Sequence, residues 1–143
     1  MRVYLDTNIL LDIIEQRMPH YPVSLAVLER CDDLNFELFV AWHGLATVFY
    51  ITARKQSEAD ATNMIRNLLN WATVSTVGHD EAQQALGYGI TDYEDALQAA
   101  AANACVASWI VSRDAAGFTG SPVPVISPDD FMLRFAASAG TQK

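Results

Sequence analysis

The sequence predicts a three-layer α/β/α domain on a central, mainly parallel sheet of about five strands. Two observations carry that expectation. Short apolar runs at residues 2–5, 37–40, 73–77, 109–111 and 123–126 are separated by segments whose apolar residues recur at helical spacing. Strands that alternate with helices pair in parallel and are covered on both faces. A length of 143 residues suits one such domain over residues 1–143, with no repeat, low-complexity tract or linker to divide it.

The elements follow in order. The first run, Arg2 to Leu5, passes directly into Asp6-Thr7-Asn8. The clearest helix carries Ala61, Met64, Ile65, Leu68 and Leu69 on one stripe and opens at Ser57-Glu58-Ala59-Asp60, a capping-box pattern. A later helix sets Asp95, Ala99, Ala102 and Val106 along one line, with Asp92 on the same side, so that small residues let it approach the sheet closely. A final helix starts at Ser127-Pro128-Asp129-Asp130: a Ser cap, Pro in the first turn, and acids at the positive end of the dipole.

Composition narrows the function classes. With 51% hydrophobic and 18% charged residues the chain is globular rather than disordered, and its apolar runs are too short to span a bilayer. Met1-Arg2 leads straight into the first strand, leaving no room for a signal peptide, so the expected address is the cytoplasm. Cys31 and Cys105 form no C-x-x-C pair and are expected to be buried thiols. The net charge of −8 opposes non-specific attraction to phosphate backbones. It agrees with a nucleic-acid protein only if much of the charge sits in a metal site, or if a basic partner covers the surface.

Ligands of open parallel sheets gather at the carboxyl ends of the strands. Asp6 follows the first strand and Asp114 follows the fourth, past Ser112-Arg113. Each could equally cap the next helix. Asp95 tops a packing face, where an ion needs a partner. No Lys or Arg occurs between residues 67 and 112, which leaves a metal ion, Arg113 or a long-range contact. Three converging carboxylates would repel one another without a cation, and an all-oxygen donor set suits Mg²⁺ or Mn²⁺ rather than zinc. A hydrated ion of this kind can support phosphodiester hydrolysis.

Asp6-Thr7-Asn8, the stretch Asp92-Tyr93-Glu94-Asp95-Ala96-Leu97-Gln98-Ala99, and Ile110-Val111-Ser112-Arg113-Asp114 with Phe118 resemble the three main motifs of PIN domains. Val125-Ile126-Ser127-Pro128-Asp129-Asp130-Phe131 is similar to the family's last strand and helix. Compact chains of this kind resemble VapC-type toxins of toxin–antitoxin pairs, which are metal-dependent endoribonucleases. The resemblance implies that Asp6, Asp95 and Asp114 are catalytic and hold Mg²⁺ (or Mn²⁺). It places Asn8, Asp92 and Ser112 around them and implies an RNA substrate, a small antitoxin protein as partner and a homodimer. Two positions depart from the family pattern. Thr47 aligns with a position on the helix after the second strand that is acidic in many relatives, and Gly117 with one that is acidic in some. One well-held ion is therefore expected.

Other residues carry less. His20, His43 and His79 lack metal-binding spacing. Trp42, Phe49 and Tyr50 read as core or interface rather than base-stacking residues. Arg17, Arg54 and Lys55 read as solvated charges, whereas Arg113, beside Asp114, is a candidate phosphate contact. Gly78, Gly87 and Gly89 form no phosphate-binding loop. The alternative function is a catalytically weak or inactive PIN-like module that binds RNA or protein. An aspartyl-phosphate phosphatase would want a second Asp where Asn8 stands.

Overall fold

The computed structural model describes residues 1–137. Its strands are β1 (Arg2–Leu5), β2 (Glu37–Val40), β3 (Thr73–Val74), β4 (Trp109–Val111) and β5 (Val125–Ile126), all paired in parallel in the order β3-β2-β1-β4-β5. The helices are α1 (Thr7–Ile14), α2 (Tyr21–Asp33), α3 (Trp42–Lys55), α4 (Glu58–Trp71), α5 (His79–Ala85), α6 (Tyr93–Ala104) and α7 (Pro128–Arg134), with a 3-10 turn at Ala116–Phe118. This is the three-layer α/β/α architecture expected from the strand–helix alternation.

The pleat divides the core in two, because successive side chains of a strand point to opposite faces. Val3, Leu5, Leu38, Val40 and Val111 face the layer that holds Leu10 of α1, Val27 of α2, Leu68 of α4 and Phe131 of α7. Tyr4, Phe39 and Ile110 face α6, whose Ala99 and Ala102 are wholly buried. Val106 leaves that line: α6 ends at Ala104, and Val106 sits at φ 57° with its side chain 74% exposed. Cys31 and Cys105 are free and buried.

The caps follow the local chemistry. Ser57 and Ser127 each accept the amide of the residue three further on, Asp60 and Asp130, at 3.0 Å. Among the described residues no helix is long and apolar enough to cross a membrane.

Candidate active site

The chain moves from β1 outward to β2 and β3, then returns past β1 to β4 and β5. The reversal opens a crevice between the carboxyl ends of β1 and β4, the usual ligand position in such sheets. Leu5 pairs with Val111, so Asp6 and Ser112 emerge side by side. The Asp6 amide donates to the Val111 carbonyl at 3.0 Å.

Ser112, wholly buried, joins the two strand-end acids. Its hydroxyl donates to Asp6 Oδ2 at 2.8 Å and accepts the Asp114 amide at 3.1 Å. Asp114 Oδ1 accepts the Gly117 amide at 3.1 Å, capping the 3-10 turn. Its Oδ2 also lies close to Gly117. A Cβ placed on Gly117 would lie 2.5 Å from Asp114 Oδ2 and 3.3 Å from Asp95 Oδ2, so the missing side chain is what keeps the space between these two acids open.

Asp95 is presented by the first turn of α6. Asp92 caps that helix by accepting the Glu94 and Asp95 amides at 2.9 and 3.4 Å. Asp92, Glu94 and Asp95 can each bring one carboxylate oxygen within 4.8 Å of the others. Asp92, Asp95, Asp114 and Gly117 line a cavity of about 510 Å³ with Ile90 and Thr119. Asp6, 3% exposed, lies behind this cavity rather than in its wall.

Electrostatics bind the group together. Burial pushes the Asp6 carboxyl up to about 6; the Ser112 hydroxyl opposes the rise and the Glu94 charge adds to it. Burial, then the charges of Asp92, Asp6, Glu94 and Asp114, push Asp95 up to about 7. Among the described residues no Lys or Arg forms an ion pair with Asp6, Asp92, Asp95 or Asp114. Clustered carboxylates without a cation, offering oxygen donors only, fit a hard divalent ion such as Mg²⁺ or Mn²⁺.

A second layer of contacts has no counterpart in the sequence reading. Gln98, wholly buried on α6, accepts the Tyr4 hydroxyl and donates to Thr7 Oγ1 and to Glu94 Oε2, the last at 2.7 Å. His43 Nε2 of α3 meets the same Glu94 oxygen at 2.8 Å, and this hydrogen bond is the main reason Glu94 stays below its ordinary value. Gly44 makes room for the network, since a Cβ there would stand 2.8 Å from Thr7 Oγ1.

The remaining expected residues are placed differently. Thr47 is exposed and its hydroxyl donates, at 3.4 Å, to the His43 carbonyl of its own helix; His43 is the α3 side chain that reaches the acids. Arg113 turns away from the cavity to the wholly buried Asp12 of α1, with Nε–Oδ2 2.8 Å and Nη2–Oδ1 3.3 Å. A buried carboxylate in an apolar helix demands a cation, and Arg113 supplies it. That pairing directs Arg113 to Asp12 instead of Asp95. Asn8 is exposed. Trp42 is 71% exposed and so is no core residue.

The family model described as PIN domain matches residues 2–116. Ribonuclease VapC1 of Aquifex aeolicus (strain VF5) is 23% identical over 139 residues, covering 94% of this chain and 95% of that protein. Among solved structures, VapBC-1 from nontypeable Haemophilus influenzae aligns with TM-score 0.69 at 16% identity, over 90% of this chain and 99% of that one. VapBC2 from Rickettsia felis, bound to a DNA fragment from its promoter, aligns with TM-score 0.61 at 17% identity, over 89% and 98%. At these identities the solved structures speak to the fold. The family match spans both strand-end acids and the α6 motif, and the chain belongs to the PIN domain family.

Proposed function

We propose that this chain, acting as one domain in the cytoplasm, is a metal-dependent endoribonuclease that hydrolyses RNA phosphodiester bonds, the toxin of a toxin–antitoxin pair. The observation that carries this reading is the gathering of Asp6, Asp95 and Asp114 at the β1–β4 crevice with no Lys or Arg among the described residues to neutralise them. Similarity to Ribonuclease VapC1 over nearly the whole length of both proteins supports it.

Asp6, Asp95 and Asp114 would hold Mg²⁺ or Mn²⁺, which when bound supplies charge neutralisation and electrophilic help at the phosphate. The chain's own residues fix the geometry. Ser112 holds Asp6 and the Asp114 backbone at one spacing, and Asp92 fixes the first turn of α6, hence Asp95. The cavity beside Asp95 and Asp114 would give a strand of RNA access to these two carboxylates, with Asp6 buried behind them.

A small antitoxin is the proposed partner. Ile13, Ile14, Leu28, Met64, Leu68 and Trp71 of α1, α2 and α4 line a groove of about 250 Å³ suited to an apolar segment, and the net charge of −8 favours a basic chain. Exposed Trp42 and Tyr50 on α3 offer apolar area for a homodimer. The test is cleavage of RNA by purified protein with Mg²⁺ or Mn²⁺, against chelator and Asp6→Asn. Cleavage that survives both would refute the reading. RNA binding without cleavage would favour the alternative of an inactive PIN-like module, which rests on the missing acids at Thr47 and Gly117.

A further inference from the structure

We propose that Glu94 is a fourth carboxylate donor to the metal site, through its Oε1, and that His43 is the positioning residue that holds it there. The inference rests on the metal-dependent reading above and deepens it.

The two oxygens of Glu94 are treated differently. Oε2 takes two hydrogen bonds, from His43 Nε2 at 2.8 Å and Gln98 Nε2 at 2.7 Å, and the carboxyl also meets that of Asp95. The two donors come from different elements. Gln98 is wholly buried and already fixed by Tyr4 and Thr7, so it cannot follow a moving glutamate. Yet the Glu94 side chain is itself 50% exposed. A half-exposed glutamate in the first turn of a helix is stabilised by the helix dipole in any rotamer and needs no clamp. Here it is clamped by one oxygen, and its carboxylate lies beside those of Asp92 and Asp95.

Glu94 keeps its place beside these acids because His43 and Gln98 both donate to it. Three neutral polar side chains and a histidine are spent on keeping a repelling charge in place. A carboxylate that binds metal with one oxygen and accepts hydrogen bonds on the other has just this need, and partners that orient a ligand commonly tune metal affinity about 10–100-fold. The arrangement also accounts for Thr47. Helix α3 contributes no acid of its own to the site; it contributes, one turn earlier, the His43 donor that fixes an acid from α6.

The experiment is calorimetric titration of Mn²⁺ into the full chain stripped with chelator, with melting curves of each metal-free variant. Glu94→Gln should weaken Mn²⁺ binding about tenfold or more while the metal-free protein still melts cooperatively. His43→Ala should weaken it by several-fold, and His43→Gln, which can still donate to Oε2, should recover part of the loss. A purely structural role would lower the melting temperature and leave the Mn²⁺ Kd alone, and that result overturns the inference. If Glu94→Gln does not fold, Glu94→Asp keeps the charge and withdraws the oxygen: weaker binding supports the assignment and an unchanged Kd overturns it. Asp6→Asn separates the two levels. Loss of binding in Asp6→Asn with none in Glu94→Gln sinks this inference alone, whereas equal binding by wild type and Asp6→Asn sinks the metal site and this inference with it.

Discussion

Replacing Asp6 by Asn removes a charge from a side chain that is 3% exposed, keeps its shape, and leaves an oxygen to accept the Ser112 hydroxyl. Raising a carboxyl from 3.8 to about 6 costs the metal-free fold about 3 kcal/mol once the group is fully ionised, at about 1.4 kcal/mol per pH unit. The new amide N–H₂, buried without an assigned acceptor, returns about 1 kcal/mol of that. Asp6→Asn should therefore stabilise the metal-free protein by about 2 kcal/mol at pH 8, on the order of 6 °C in Tm for a domain of this size. The sign depends on pH in a defined way. Below 3.8 the carboxyl is neutral in the folded and unfolded states and the gain is absent; it opens between 3.8 and about 6 and is complete above. Saturating Mn²⁺ reverses the order, because only wild type is stabilised by the ion. Melting curves in chelator from pH 4 to 8, repeated with Mn²⁺, make the measurement. A variant less stable than wild type at pH 8 in chelator, or a gain that does not change with pH, would refute the reasoning.

Three further outcomes are expected. Asp95, held up to about 7 mainly by burial and then by its acidic neighbours, makes the metal-free protein gain stability as pH falls through 7, and Asp95→Asn should flatten that part of the melting profile. Arg113→Ala strands the wholly buried Asp12 without its cation and should cost about 3–5 kcal/mol in urea denaturation, with Arg113→Lys recovering part; a loss below about 1 kcal/mol would show that the pair does not support the fold. Gly117→Ala drives a methyl to 2.5 Å from Asp114 Oδ2 and should weaken Mn²⁺ binding about tenfold, about 1.4 kcal/mol, whereas Gly78→Ala, with nothing within 4 Å, serves as the silent control in the same titration.

The strands inside the sheet were readable to the residue, and the two at its edges were not. The runs at 2–5, 37–40 and 109–111 became β1, β2 and β4 unchanged, but 73–77 shrank to Thr73–Val74 and 123–126 to Val125–Ile126. An edge strand has one neighbour to pair with, so its apolar run outlasts its ladder. Asp6 and Asp114 were legible because a strand's carboxyl end is a local address. Asp95 was legible from the alanines beneath it, although the line failed at Val106, where the left-handed turn after α6 carries the chain outward. His43, Glu94 and Gln98 look like ordinary polar positions on helices. Their meaning lies in hydrogen bonds that span 51 to 94 residues outside the helix, which no local pattern encodes. Two weak signals existed: a Gln set among the buried alanines of α6, and an Asp within the apolar run Ile9-Leu10-Leu11-Asp12-Ile13-Ile14, which asked for the cation that Arg113 provides.

The pairing of Leu5 with Val111 has a consequence in time as well as in space. The Asp6–Ser112 hydrogen bond joins residues 106 apart, and the strand between β1 and β5 must be threaded in before it can form. A chain still being made therefore carries Asp6, at the end of β1, before it has a crevice, because the other wall follows more than a hundred residues later. At about 5–20 residues per second that interval lasts several seconds. Throughout it Asp6 and Ser112 remain apart: half a crevice on a nascent chain until the fourth strand docks.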